Sequence, residues 1–165
     1  MKALEIFKSH QGEGKYTGSL MTFVRFKACK RPFTHDLCPM CDTLNKMNNC
    51  IEMNFEPEDL KKLLKDTNYN ICFTGGEPTL SVYLKYIEEI INYYKEDFLN
   101  IPFSCIHFET NGWRLVDLNK LLKSLDIPDD KYFISYSPKF FTWEEYADCM
   151  GYLKENQNIF NRRYI

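Results

Sequence analysis

The chain has 165 residues, 44% of them hydrophobic and 27% charged. That supplies one buried core and is too short for two ordinary domains. With 21 basic against 23 acidic residues the formal net charge is −2, and 16% of the chain is aromatic; a basic nucleic-acid-binding domain and a disordered chain are both disfavoured. No run approaches the roughly 20 apolar residues of a membrane span. The charged opening MKALEIFKSH is unlike a signal peptide, so a cytoplasmic location with reduced thiols is expected.

In chain order, ALEIF reads as a short first or edge strand, and Gln11 to Gly14 (QGEG) as a tight loop. Residues 20–27, LMTFVRFK, are β-rich and predict a strand. From Cys29 to about Asn54 there is little periodicity, so a long loop is expected, needing a function or an internal tie. PEDLKKLLKD predicts a helix with Pro57 in its first turn. NICFTGG predicts a buried strand, and SVYLKYIEEIINYYKED one long amphipathic helix. FSCIHFET and KYFISYS predict further strands, separated by the helix LVDLNKLLKSL. TWEEYADCMGYLKE predicts a last helix, weakened by Gly151. This alternation favours a parallel sheet with right-handed crossovers. Four conspicuous segments follow strands: Cys29 onward, Gly75–Pro78, Glu109–Gly112 and Ser137–Lys139. A parallel sheet would bring all four to its C-terminal edge, where such folds carry their chemistry.

Seven cysteines are many for this length, and four fall between Cys29 and Cys50. Three readings stay open on spacing alone. Cys29, Cys38 and Cys41, spaced x8 and x2, suit a four-iron, four-sulfur cluster with one iron free for a chelating molecule. With Cys50 added, or His35 replacing one ligand, they suit a four-ligand zinc loop. Scattered core cysteines are the third reading. The glycines after one strand permit close backbone approach to an extended ligand, and their amides can receive a carboxylate; a structural zinc loop makes no such demand.

The motifs EIFKSHQGEG at 5–14, TFVRF at 22–26, CPMCDT at 38–43, TGGEPTL at 74–80, FETNG at 108–112 and SPK at 137–139 stand in one order along the chain. Together they resemble the radical S-adenosylmethionine (SAM) superfamily, and within it the 7-carboxy-7-deazaguanine synthase family of queuosine and 7-deazapurine biosynthesis. The resemblance implies an α/β fold, a partial open (β/α) barrel shortened at the C-terminus, formed by residues 1–165 as a single domain with a cluster-binding loop at about 28–54. It implies a lyase that converts 6-carboxy-5,6,7,8-tetrahydropterin to 7-carboxy-7-deazaguanine with loss of ammonia. An electron from a 4Fe-4S cluster would generate a 5′-deoxyadenosyl radical from SAM, which is regenerated, with Mg2+ assisting. A flavodoxin or ferredoxin as electron donor and a homodimer are implied partners, with no nucleic acid and no membrane.

Carried onto this chain, the resemblance implies Cys29, Cys38 and Cys41 as cluster ligands and Thr43 as a magnesium ligand. Gly75, Gly76 and Glu77 would line the methionine group of SAM, and Thr110, Asn111, Ser137 and Lys139 the rest of it. Gln11, Glu13 and Arg25 would meet the pterin and its carboxylate. The residue types agree: Arg offers a planar fork for a carboxylate, and Gln and Glu suit the donor–acceptor edge of a pterin. The chain departs from the family pattern in the eight residues between Cys29 and Cys38, in Met40 and Ala28, and in having only 26 residues after Lys139. The insert at 30–37 would cover the cluster or meet a reductant.

Plainer readings stand beside these. Arg25 would merely pair with an acidic neighbour, Glu77 would cap nearby amides, and Lys139 would be a solvated surface lysine. His10 and His107 are read as structural, and Cys72, Cys105 and Cys149 as core residues. Two other functions remain: a radical SAM activase acting on a glycine of a partner protein, and a non-catalytic binding module stabilised by zinc on four cysteines.

Overall fold

The computed structural model describes residues 1–30, 38, 41 and 50–156. Its framework is a five-stranded sheet in the order β2 (Glu5–His10), β3 (Leu20–Arg25), β5 (Ile71–Thr74), β6 (Ile106–Thr110), β7 (Tyr132–Tyr136). β2 is antiparallel to β3, and β3, β5, β6 and β7 run parallel. Among the described residues the sheet is open, with β2 and β7 at its edges, which agrees with the expected open α/β arrangement. The short strands β1 (Lys2–Ala3) and β4 (Met53–Asn54) pair separately. They tie the end of the cysteine-bearing segment to the chain start, where the Met1 amino group donates to the Phe55 carbonyl at 2.9 Å.

Among the described residues the α-helices are α1 (Lys61–Asp66), α2 (Ser81–Tyr93), α3 (Lys95–Asn100), α4 (Leu115–Ser124) and α5 (Trp143–Glu155), with short 3-10 helices at Gly14–Tyr16 and at Pro57–Leu60, where the helix expected from Pro57 begins. The long helix expected over 81–97 is two helices, interrupted at Tyr94, whose φ of −108° and ψ of 17° leave the helical region. The Tyr94 ring is buried and its hydroxyl donates to the Pro57 carbonyl at 2.6 Å, so a tertiary contact overrides the local periodicity. The strand expected from Phe103 starts only at Ile106, because the Ser104 hydroxyl is turned back to the Phe98 carbonyl at 2.6 Å. Gly151 lies inside α5 without ending it, and Thr142 caps that helix by accepting from the Glu145 amide at 3.2 Å.

The period of two divides the sheet into two unlike faces. Val24, Ile71, Phe73, Ile106, Phe108 and Ile134 point outward into the main core, against Leu64, Ile87, Ile90, Leu118 and Leu122 of the helices. On the inner face the register aligns Phe7, Phe23, Cys72, His107 and Phe133 in one row. The next row toward the C-terminal edge is Glu5, Arg25, Thr74, Glu109 and Ser135, polar on every strand. The segment after β2 folds across this face, putting the Tyr16 ring 5.7 Å from Phe133 and 6.2 Å from His107.

Candidate active site

At the C-terminal edge the strand-end loops are sewn together by their backbones. Glu77 N–H donates to the Ala28 carbonyl at 2.8 Å, and Ser137 N–H to the Thr110 carbonyl at 2.8 Å. The Gly75–Gly76 turn is what allows the first bond. Gly76 has φ +29°, and a Cβ there would collide with the Ala28 carbonyl. Gly75 has φ +67°, and a Cβ there would overlap the stem of Arg25. These positions therefore require glycine to admit the cysteine loop and Arg25.

Glu77 lies beneath this turn, fully buried. Its Oε1 accepts from Thr79 N–H at 2.9 Å, the Thr79 hydroxyl at 2.6 Å and the Thr110 hydroxyl at 2.5 Å. Its Oε2 accepts from Asn111 N–H at 2.7 Å. Burial raises its pKa, and these four bonds oppose the rise. The carboxylate expected to line the SAM methionine group thus forms the floor joining two loops, because burial and four donors consume it. Asn111 continues the tie: its side-chain amide donates to the Lys30 carbonyl at 2.8 Å and lies 3.8 Å from Cys29 Sγ.

Above the floor is a cavity of about 410 Å³. Cys29, Cys38 and Cys41 line one side. Gly75, Gly76, Thr110, Asn111, Ser137 and Lys139 line the strand-end side. Glu13 and Arg25 line the inner-face side, together with Thr74, Glu109 and Ser135. Lys139 donates to the Ser137 hydroxyl at 2.8 Å. Burial, followed by the nearby Glu77 carboxylate, pushes the Cys29 thiol up to about 12, with Lys139 opposing. Cys50 is exposed, does not line the cavity, and its carbonyl accepts from the Lys27 ammonium at 3.1 Å. Among the described residues no group of three or more His, Cys, Asp or Glu closes on a single point as one metal ion requires. Three soft sulfur donors lining one roomy cavity fit an iron–sulfur cluster.

Arg25 stands opposite Glu5 on the neighbouring strand, with its Nε 2.7 Å from Glu5 Oε1. The approach is close enough for an ion pair, yet its angle does not make a hydrogen bond, and Nε has no other partner among the described residues. The guanidinium carbon sits 5.6 Å from the Phe7 ring centre, which braces the side chain of this cavity-lining residue.

Gln11 does not line the cavity. It is 2% exposed, and its side chain bonds to His107, Cys72 and the Glu13 amide. The expected direct contact of Gln11 with a substrate is therefore replaced by a buried one. Thr43 lies outside the described residues. Thr74 and Glu109 stand in the quoted motifs without an assigned role, and Ser135 stands in none of them. Their signal is the inner-face alternation of three neighbouring strands, which becomes readable once the register is known.

No family model matches the chain. A 7-carboxy-7-deazaguanine synthase from Haemophilus influenzae is 35% identical over 155 residues, covering 92% of this chain and 60% of that protein. One from Bacteroides thetaiotaomicron is 29% identical, covering 84% of this chain and 60% of that protein. One from Archaeoglobus fulgidus is 30% identical, covering 60% of this chain and 46% of that protein. The chain spans 60% or less of the length of these curated relatives. The crystal structure of QueE from Escherichia coli aligns over 99% of this chain with a TM-score of 0.45 and 16% identity.

Proposed function

We propose that this chain, related in sequence to the 7-carboxy-7-deazaguanine synthases, is a radical SAM lyase that converts 6-carboxy-5,6,7,8-tetrahydropterin to 7-carboxy-7-deazaguanine with loss of ammonia. The observation that carries the reading is convergence: three cysteines, a strand-end glycine turn and a polar inner-face row meet at one cavity. When bound, the cluster and SAM supply the electron and the hydrogen-abstracting radical.

The positions of the chain's own residues support the following roles. Cys29, Cys38 and Cys41 hold a 4Fe-4S cluster, whose iron would draw the proton from the Cys29 thiol that burial otherwise keeps protonated. The backbone at Gly75 and Gly76 flanks the SAM methionine group, and Asn111, Ser137 and Lys139 run along the remainder. The Thr110 hydroxyl is committed to Glu77 and to the Gly112 amide, so it shapes that wall. Arg25 offers its fork to the pterin carboxylate, and Glu13 approaches the ring. Gln11 acts from behind through His107. Thr43 as the Mg2+ ligand is part of the same reading. The protein's task is to hold one substrate hydrogen against the radical carbon and keep water and competitors out.

The reading treats residues 1–165 as one radical-SAM-like unit. A reducing cytoplasm, a flavodoxin or ferredoxin as donor and a homodimer belong to it. No described helix is long and apolar enough to cross a membrane. The test is anaerobic reconstitution with iron and sulfide, then reaction with SAM, reductant and the carboxytetrahydropterin. Mass spectrometry should find the deazapurine. SAM cleavage without that product would point to another substrate. Zinc held by Cys29, Cys38, Cys41 and Cys50 with no SAM cleavage would end the enzyme reading.

A further inference from the structure

Behind the pterin side of the cavity runs a hydrogen-bond chain whose directions can be assigned. Gln11 Oε1 accepts from Glu13 N–H at 3.0 Å. That identifies the oxygen of the amide and leaves its NH2 as a donor twice over. One N–H goes to His107 Nδ1 at 2.8 Å and the other to Cys72 Sγ at 3.5 Å. His107 Nδ1 is therefore the lone-pair nitrogen. The ring is 0% exposed, and burial keeps it neutral by lowering its pKa to about 4. Its proton sits on Nε2, which donates to Ser135 Oγ at 2.9 Å. A hydroxyl has one proton and two lone pairs. Once Ser135 accepts from His107, its own O–H is left to donate elsewhere, and Ser135 lines the cavity. Gly14 closes the other approach: a Cβ there would lie 2.9 Å from Ser135 Oγ.

We propose that Ser135 is a specificity-determining hydrogen-bond donor, its hydroxyl polarity set by Gln11 and His107, and that it selects a pterin presenting an acceptor atom, a carbonyl oxygen or an unprotonated ring nitrogen. This rests on the pterin reading above. Ser135 touches the ligand, whereas Gln11 and His107 are positioning residues that act through it. A ligand with an N–H at that point could use only the hydroxyl's second lone pair and would leave the Ser135 proton without an acceptor, and an unsatisfied buried donor is costly.

The test is equilibrium binding of fluorescent 6-carboxypterin to the anaerobically reconstituted protein, read by quenching. Ser135→Ala should weaken binding about tenfold, the worth of one buried hydrogen bond. Ser135→Thr, which keeps the hydroxyl, should recover most of the loss. Gln11→Leu, outside the cavity, should also weaken binding, and the Gln11→Leu/Ser135→Ala double variant should be no worse than Ser135→Ala alone. In turnover, Ser135→Ala should raise KM for the tetrahydropterin far more than it lowers kcat. Unchanged 6-carboxypterin affinity in Ser135→Ala, or losses that multiply in the double variant, would overturn the inference while leaving the pterin reading intact. Wild-type protein that binds no 6-carboxypterin would overturn the pterin reading and this inference with it.

Discussion

The Asn111 backbone amide donates to Glu77 Oε2 at 2.7 Å, joining the loop after β5 to the loop after β6 under the cavity. Glu77 also takes one backbone amide and two hydroxyls, and is wholly shielded from water. Removing it strands four buried donors at once. Glu77→Ala should cost about 3–5 kcal/mol of stability. Glu77→Gln keeps one acceptor oxygen but turns an NH2 toward a donor, and should cost about 1–3 kcal/mol. Urea unfolding midpoints measure both. A Glu77→Ala protein as stable as wild type would show that the carboxylate is not the clamp.

The glycine turn makes a second, sharper expectation. A methyl group on Gly76 would meet the Ala28 carbonyl, the residue before Cys29, while one on Gly12 meets nothing within 4 Å. Gly76→Ala should therefore displace the cysteine loop and lower the iron bound after reconstitution by at least half, whereas Gly12→Ala should leave it unchanged. Iron and sulfide analysis of the two proteins, prepared side by side, decides the point.

Much of this frame was readable before any coordinates. Strand–helix alternation announced a parallel sheet, and punctuation at Gly75–Gly76, Asn111–Gly112 and Ser137–Pro138 marked the loops that gather at its edge. What stayed hidden needed tertiary information. Short buried strands such as ICFT do not declare which of their faces is which, so Thr74, Glu109 and Ser135 could not be aligned with Arg25 until the register did so. Gln11 and Glu77 have the right chemistry for ligand contact. Their side chains turn inward because a loop folded over the inner face and a turn folded over Glu77 supply donors and acceptors in the protein itself. The break at Tyr94 likewise depends on Pro57, 37 residues away in sequence.

The cysteines separate the two metal readings by substitution. Cys29, Cys38 and Cys41 share the cavity and Cys50 lies outside it. Serine at any of the first three should remove most of the iron and the brown colour of the anaerobic protein. Cys50→Ser should bind iron as wild type does. A loss of metal in Cys50→Ser as complete as in Cys41→Ser, with zinc as the metal found, would favour a four-thiolate zinc loop.

His107 supplies a prediction in pH. Burial lowers its pKa to about 4, with the Glu109 carboxylate opposing, while an unfolded histidine titrates near about 6.5. Between those values the unfolded chain holds a proton that the native chain refuses, so stability increases with pH across the window. Acidifying from about pH 7 to about pH 5 should therefore cost about 2 kcal/mol through this residue alone. Protonation would also place a hydrogen on Nδ1, where the Gln11 amide already donates, so the cost falls on the chain that orients Ser135. His107→Gln removes the titrating group and leaves surface carboxylates such as Asp66 and Glu144 in place. Urea midpoints at the two pH values should fall more steeply for wild type than for His107→Gln. Parallel declines in the two proteins would mean that His107 is not the buried neutral base described here.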